Sequence, residues 1–400
     1  MANAFFSPDG DLESIFVNDY AMIDQYAKTG SLWVWGYNNA GQLGDNTIVS
    51  KSSPIQTTAG GTNWKQVAGG FAHTAAIKTD GTLWTWGNNG QGQLGDNTAV
   101  GKSSPVQTVA SGTNWKQVAC SGYSTAAIKT DGTLWLWGSN LSGELGDNTA
   151  TSYRSSPVQT VAGGTSWKQV ACGDKNITAI KTDGTLWLWG DNTYGQLGLL
   201  SVGGGYSSPV QTAAGGTNWK QVAAGGFGHT AAIKTDGTLW TWGYNNDGQL
   251  GINLAGGSNR STPVQTVAAG TNWKQVACGN EFTAAIKTDG TLWLWGIGTL
   301  GQLGDNTAVG KSSPVQTIAA GTNWKQVACG VGHTAAIKTD GSLWLWGSGA
   351  NGELGDNTNV GKSSPIQTVA GGTSWKNVAC GGVHTSAIYF YDAGNLYPSA

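Results

Sequence analysis

Charge is scarce in this chain. Asp, Glu, Lys and Arg together make up 11% of its 400 residues, against about 25% in ordinary soluble domains. Only two arginines occur, Arg154 and Arg260, and the formal net charge is -2. Displacing counterions from a phosphate backbone takes clustered Lys and Arg. No such cluster exists, which argues against nucleic acid as a partner. Long apolar runs are missing too: no stretch approaches the ~20 residues of a membrane span. Met1–Asp9 has neither the basic start nor the apolar centre of a secretory signal. The expectation is a chain made soluble in the cytoplasm, with no membrane partner and no export by the general secretory route.

Cysteine is sparse and positional. Cys120, Cys172, Cys278, Cys329 and Cys380 all follow Val-Ala, in a register that holds Gly69 or Ala224 elsewhere. A place that accepts Gly, Ala or Cys selects a small side chain. An odd count without a CxxC spacing supports neither a disulfide framework nor a metal ring.

Tryptophan and glycine are abundant: 21 and 64 residues. Trp-x-Trp-Gly recurs seven times, at Trp33/Trp35, Trp84/Trp86, Trp135/Trp137, Trp187/Trp189, Trp240/Trp242, Trp293/Trp295 and Trp344/Trp346, with spacings of 51 to 53 residues. A fixed period of this size marks a repeat architecture, and aromatics held in register are foreign to disordered chains. Each repeat carries four strand-like pieces. Between Ser104 and Trp137 they are Ser104–Thr108, Trp115–Cys120, Thr125–Lys129 and Leu134–Trp137. The Asp131-Gly132 pair between the last two predicts a hairpin with a two-residue type I′ turn. Proline at the start of the first piece suits a position whose N–H is not needed.

Four short antiparallel strands repeated seven times predict an all-β, seven-bladed propeller over residues 29–390. The first Trp-x-Trp strand has no preceding partners, and the last three strands have no following one. One N-terminal strand is therefore expected to close the ring against three C-terminal strands, which leaves no free edge. Residues 391–400 form a tail. Residues 1–28 form a separate leader, in which Phe5, Phe6, Phe16, Tyr20 and Tyr26 alternate with carboxylates that include Asp11 and Glu13. A short helix from Asn18 or Asp19 through Ala27 would place Tyr20, Ile23 and Ala27 on one face. The leader either packs under the ring or grips a partner. Repeat lengths drift only between Gly-x-Leu-Gly and the next proline and by one residue near Ala224; the loops 199–206 and 252–261 are the most divergent, which singles out Tyr206 and Arg260 as candidate contact residues.

Chemistry is hard to find. His73, His229, His333 and His384 share one register with Ser124, Asn176 and Phe282, so they are spread around a ring and do not converge on a metal or substrate. Gly-Asp-Asn-Thr offers one Asp and one Asn per blade, short of a calcium loop, and reads as an Asx turn. The glycine-rich segments lack the Gly-Lys-Ser/Thr ending of a phosphate loop. No catalytic, cofactor-binding or metal-binding residue is assigned, and no cofactor is expected.

The repeats resemble the regulator of chromosome condensation family. The residues that carry the likeness are Val327–Ile337, Asp340–Gly347 and Gly352–Gly355, and it recurs across residues 29–390. The resemblance implies a propeller; members include an exchange factor for a small GTPase and an inhibitor of a secreted β-lactamase. The exchange factor acts through an inserted wedge and a basic tail, and this chain has neither. The leader, over Phe6–Glu13 and Phe16–Tyr26, is similar to leaders on repeat proteins of tailed cyanobacterial phages. That likeness implies a virion component, non-catalytic, docked to other virion proteins. The alternative is a module that binds a host surface receptor, glycan or protein, through the loops near Tyr206 and Arg260. A GTPase exchange factor or enzyme inhibitor is the third reading. Homo-oligomerisation within an assembly stays open.

Overall fold

A computed structural model describes residues 30–150, 152–319 and 321–390. The leader residues Phe5, Phe6, Asp11, Glu13, Phe16, Tyr20 and Tyr26 lie outside the described residues.

Among the described residues, twenty-eight strands assemble into seven four-stranded antiparallel sheets. Blade 1 runs outward from the centre as β3 (Trp64–Gly69), β4 (His73–Lys78), β5 (Leu83–Gly87) and β6 (Lys102–Gln107). Blades 2 to 6 repeat that order. Blade 7 joins the two ends of the chain, with strand order β2 (Lys51–Gln56), β1 (Gly30–Gly36), β28 (His384–Phe390) and β27 (Trp375–Cys380). Strand β1 pairs with β28 over its whole length, from Gly30 opposite Phe390 to Gly36 opposite His384. The ring thus closes through an N-terminal strand, as the unpaired ends imply. The closing sheet takes two strands from each end, however. The proline-bearing strand Lys362–Gln367 pairs back onto its own Trp-x-Trp strand, Leu343–Gly347, and so forms the outer edge of blade 6. Proline thereby sits in a bulged edge strand, where a missing donor costs little.

The hairpin between the second and third strands of blades 1 to 6 also differs in detail from the expected turn. Gly81 donates to the Lys78 carbonyl at 3.0 Å, Lys78 donates to the Thr82 carbonyl at 3.0 Å, and Gly81 alone takes positive φ, at 82°. Asp80 is not left-handed, so the loop has three residues and ends in a glycine bulge. The Asp80 carboxylate is thereby free to accept the Thr82 N–H and hydroxyl.

Seven hydrophobic clusters fill the seven gaps between blades. At each gap one blade contributes Ala, Ile and Leu, and the next contributes two indoles packed edge to face, such as Trp64 and Trp86 at 6.2 Å. Fourteen of the 21 tryptophans are buried; the first of each Trp-x-Trp pair is half-buried. The second indole explains the Gly-x-Leu-Gly motif. Trp86 Nε1 donates to the Gln42 carbonyl of the preceding blade at 2.9 Å. Leu43 is buried beside it, and a Cβ on Gly44 would lie 2.8 Å from the same indole nitrogen. All seven gaps carry this indole clasp.

A second clasp lines the centre. Gln66 Nε2 donates to the Val118 carbonyl and Gln66 Oε1 accepts the Val118 N–H, both at 3.1 Å, which ties one innermost strand to the next. Gln117, Gln169, Gln221, Gln275 and Gln326 repeat the contact. The seventh place holds Asn377, one methylene shorter, and its buried Oδ1 has no partner. That place is the gap between blade 7, the sheet that holds both the first and the last strand, and blade 1.

Candidate functional site

The two faces of the ring differ. On one face the hairpin turns are nearly identical. Asp131 accepts the N–H and hydroxyl of Thr133, which hold its carboxyl below the usual carboxylate range with help from Lys129. Thr133 Oγ in turn accepts the Trp135 indole N–H. Lys129 Nζ lies 4.9 Å and 4.7 Å from the Trp115 and Trp135 ring centroids. Six blades share this lysine between two indoles. In blade 7, Tyr389 replaces it and stands edge-on to Trp375 at 5.0 Å.

The opposite face carries the loops from first to second strand and from third to fourth, and here the blades diverge. The inner loops present Phe71, Tyr123, Asp174-Lys175, Phe227, Asn280-Glu281, Val331 and Val383 at matching places. Loop length does not reveal these positions, because most of these loops have the same number of residues. The signal that finds them is residue type, which varies at two or three consecutive places between a Val-Ala and an Ala-Ile that all seven blades share.

Three rings from blades 3 and 4 meet on this face. Tyr194 and Tyr244 are 4.7 Å apart, Phe227 and Tyr244 5.0 Å, and Tyr194 and Phe227 6.3 Å. Four carboxylates come from these two blades and the next: Asp174, Asp191, Asp247 and Glu281. Burial pushes Asp247 up, and burial together with Asp247 pushes Glu281 up. Burial raises Asp174 as well, against the pull of Lys175. The Tyr244 phenol is raised by burial and by the nearby Asp247 and Glu281. None of the four carboxylates has an ion-pair partner within 4 Å among the described residues. The patch is therefore aromatic and net negative, with Lys175 as the cation beside it.

At the ring centre a cavity of about 360 Å³ is lined by the cysteine register and the inner loops of all seven blades. The five thiols are free and half-buried. Burial pushes Cys120 and Cys278 up to about 12, and Cys172, Cys329 and Cys380 are raised as well. Cys120 and Cys380 Sγ lie 3.8 Å and 3.6 Å from Ala68 and Ala328 carbonyls on the preceding blades. Among the described residues no group of three His, Cys, Asp or Glu side chains is close enough to hold a metal ion.

The histidines are bridges between blades. His384 Nε2 lies 2.8 Å from Thr74 Oγ, and the Thr74 hydroxyl donates to the Gln42 carbonyl. His73, His229 and His333 reach Thr125, Thr283 and Thr385 in the same way. Each threonine proton is spent on a carbonyl, so each imidazole donates from Nε2, and burial keeps the ring neutral. Burial lowers His73, His229 and His333 to about 4, and His384 to about 3.

The two loop residues singled out in the sequence take structural places. Five blades pair the Asp of Gly-Asp-Asn-Thr with a cation at the start of the outer strand, as in Asp45–Lys51 at 3.5 Å and Asp147–Arg154 at 3.0 Å. In blade 3 both partners are exchanged for apolar ones: Leu199 and the half-buried Tyr206 pack on the same core cluster. In blade 4 Ile252 replaces the Asp, and the Arg260 guanidinium turns to the Ser258 and Asn259 carbonyls. Neither residue belongs to the aromatic patch.

Comparison with known proteins fits this geometry. Seven consecutive stretches, 29–77, 80–128, 131–180, 183–233, 236–286, 289–337 and 340–388, match the Regulator of chromosome condensation (RCC1) repeat. The chain is 32% identical over 338 residues to the ultraviolet-B receptor UVR8 of Arabidopsis thaliana, covering 83% of this chain and 76% of that protein. It is 28% identical over 373 residues to the human E3 ubiquitin-protein ligase HERC2, covering 90% of this chain but only 8% of that protein. The structure of Prp20p from Saccharomyces cerevisiae, a protein with binding properties toward Gsp1p and histones, superposes with a TM-score of 0.77. It is 20% identical, and the match covers 92% of this chain and 94% of that one. At that identity the likeness concerns the fold alone.

Proposed function

This chain belongs to the Regulator of chromosome condensation (RCC1) repeat family, and from that premise we propose that it is a non-catalytic docking propeller that binds a protein through its divergent face. The observation that carries the reading is the patch of Tyr194, Phe227 and Tyr244 surrounded by Asp174, Asp191, Asp247 and Glu281. Aromatic faces attract cations, and unpaired carboxylates add charge complementarity. The partner surface that fits is one that presents lysine or arginine. Relatives of this fold with recorded protein ligands, such as Prp20p with Gsp1p and histones, support protein binding as the class of activity.

Peptide arrays that contrast Lys/Arg-bearing with Ala-substituted sequences, probed with the full chain, test the reading. Phe227→Ala and Glu281→Gln are each expected to weaken binding of the selected basic peptide roughly tenfold, with a steep loss at raised salt. Binding that is insensitive to both substitutions overturns the assignment. The finer proposal places this docking in a phage virion, with synthesis in the host cytoplasm. Its support is the likeness of residues 6–26 to phage leaders. Mass spectrometry of purified particles that never finds the chain would sink it. A nucleotide-release assay with a small GTPase tests the exchange-factor alternative.

A further inference from the structure

A second site lies on the same face, away from the acidic patch. Blades 6, 7, 1 and 2 enclose a groove of about 740 Å³, within the size range of small-molecule sites. Tyr37, Phe71 and Tyr123 bring aromatic rings to it, and Asn39, Asn88 and Asn351 bring amides. No carboxylate, ammonium, guanidinium or imidazole is among its lining residues. Phe71 and Tyr123 are each 45% exposed, with ring centroids 6.3 Å apart and planes tilted by 35°.

The amides have unspent capacity. Asn39 makes no side-chain hydrogen bond among the described residues. Asn88 uses Oδ1 to accept Gly90 N and Gln93 Nε2, which leaves its own Nδ2 without a partner. Asn351 spends Nδ2 on Glu353 and keeps Oδ1. An amide offers two donors and an acceptor with two lone pairs, so these groups can serve alternating hydroxyl donors and acceptors. The exposed rings carry negative faces that attract the weakly positive C–H groups of an apolar ring surface.

We propose that this groove binds a neutral saccharide. A ligand with a polarised C–H face and a rim of hydroxyls matches exposed, mutually tilted aromatics flanked by amides, and it needs no counter-charge. A charged ligand would enter a groove with nothing to neutralise it. A peptide would want enclosed pockets for its side chains, whereas these rings lie open. The inference goes beyond the protein-docking reading, and it uses blades and residues separate from the acidic patch.

The test is an array of neutral glucans, mannans, galactans and N-acetylhexosamine oligosaccharides beside sialylated and uronic-acid glycans, probed with the full chain. Calorimetry then follows the strongest hit. A neutral glycan should bind and the charged ones should not. Tyr123→Ala and Asn39→Asp should each weaken the interaction roughly tenfold with an unaltered melting temperature, and Phe227→Ala in the acidic patch should leave it unchanged. Absence of any neutral glycan at millimolar concentration overturns the proposal. So does a preference for charged glycans, binding that survives both groove substitutions, or a peptide as the groove's sole ligand. Loss of basic-peptide binding through Phe227→Ala, with glycan binding intact, would separate the two sites.

Discussion

At the scale of single residues, the inner ring is held by an amide that needs its full length. Six glutamines bridge neighbouring innermost strands, and Asn377 stops short and leaves its Oδ1 buried without a partner. Restoring the methylene with Asn377→Gln is expected to complete the seventh clasp to Val67 and to raise stability by about 1 kcal/mol. Calorimetric melting of the substituted chain reads this as an upward shift, and a lower melting temperature would show that the gap cannot take the longer side chain. The exchange in blade 3 teaches a related lesson. Leu199 and Tyr206 replace an Asp–cation pair together, so neither makes sense alone. Read in sequence, Tyr206 was merely an aromatic in a lengthened loop. Its role in the packing becomes visible only when the place of Leu199 is aligned with Asp45 and its own place with Lys51.

At the scale of strands and turns, the period of the indoles carried most of the information. The Trp-x-Trp register places the third strand of every blade, and the third tryptophan places the first. The grouping of the outer strand was harder to see. Lys102–Gln107 is separated from its partner Leu83–Gly87 by the long loop that wraps the next blade, yet only seven residues separate it from Trp115 in the chain. Chain proximity therefore suggested the wrong blade. Strand β1 makes the strongest prediction at this level. It pairs with β28 along seven residues and carries β2 on its other edge. Deletion of residues 1–36 is expected to abolish the cooperative melt, because it unpairs β28 and strands β2; an unchanged melt would show that the ring does not depend on this closure.

At the scale of the whole molecule, four neutral imidazoles distributed round the ring make stability a function of pH. Their folded values, about 4 for three and about 3 for His384, lie below the ordinary 6.5. The unfolded chain therefore takes up protons that the folded chain refuses. Stability is full above pH 6.5 and falls as the pH drops from 6.5 toward 4, by about 3 kcal/mol per histidine over that interval. The raised carboxyls of Asp174, Asp247 and Glu281 act in the opposite sense and soften the fall. Melting temperatures from pH 7.5 to 4.5 should decline accordingly. His333→Phe, which installs the residue that blade 5 carries at Phe282, should reduce the proton uptake on unfolding at pH 5 by roughly one. A slope that is the same in both chains would remove the imidazoles from the explanation. The binding face belongs to this scale as well. Tyr194, Phe227 and Tyr244 come from two blades, and Glu281 from a third. Their meeting depends on how the blades are set around the ring, which periodicity reveals as a number of sectors and not as a surface.

The pairing of Gly30 with Phe390 has a consequence for how this chain could be rewired. The strand ends are cross-strand neighbours, so a short covalent join between them, with a new opening cut between two other blades, leaves every sheet intact. Such a circular permutant moves the cut from inside blade 7, between β28 and β1, to a linker between two blades whose gap a full glutamine clasp already bridges. The sector in which the wheel begins is thus a property of the gene and not of the folded object.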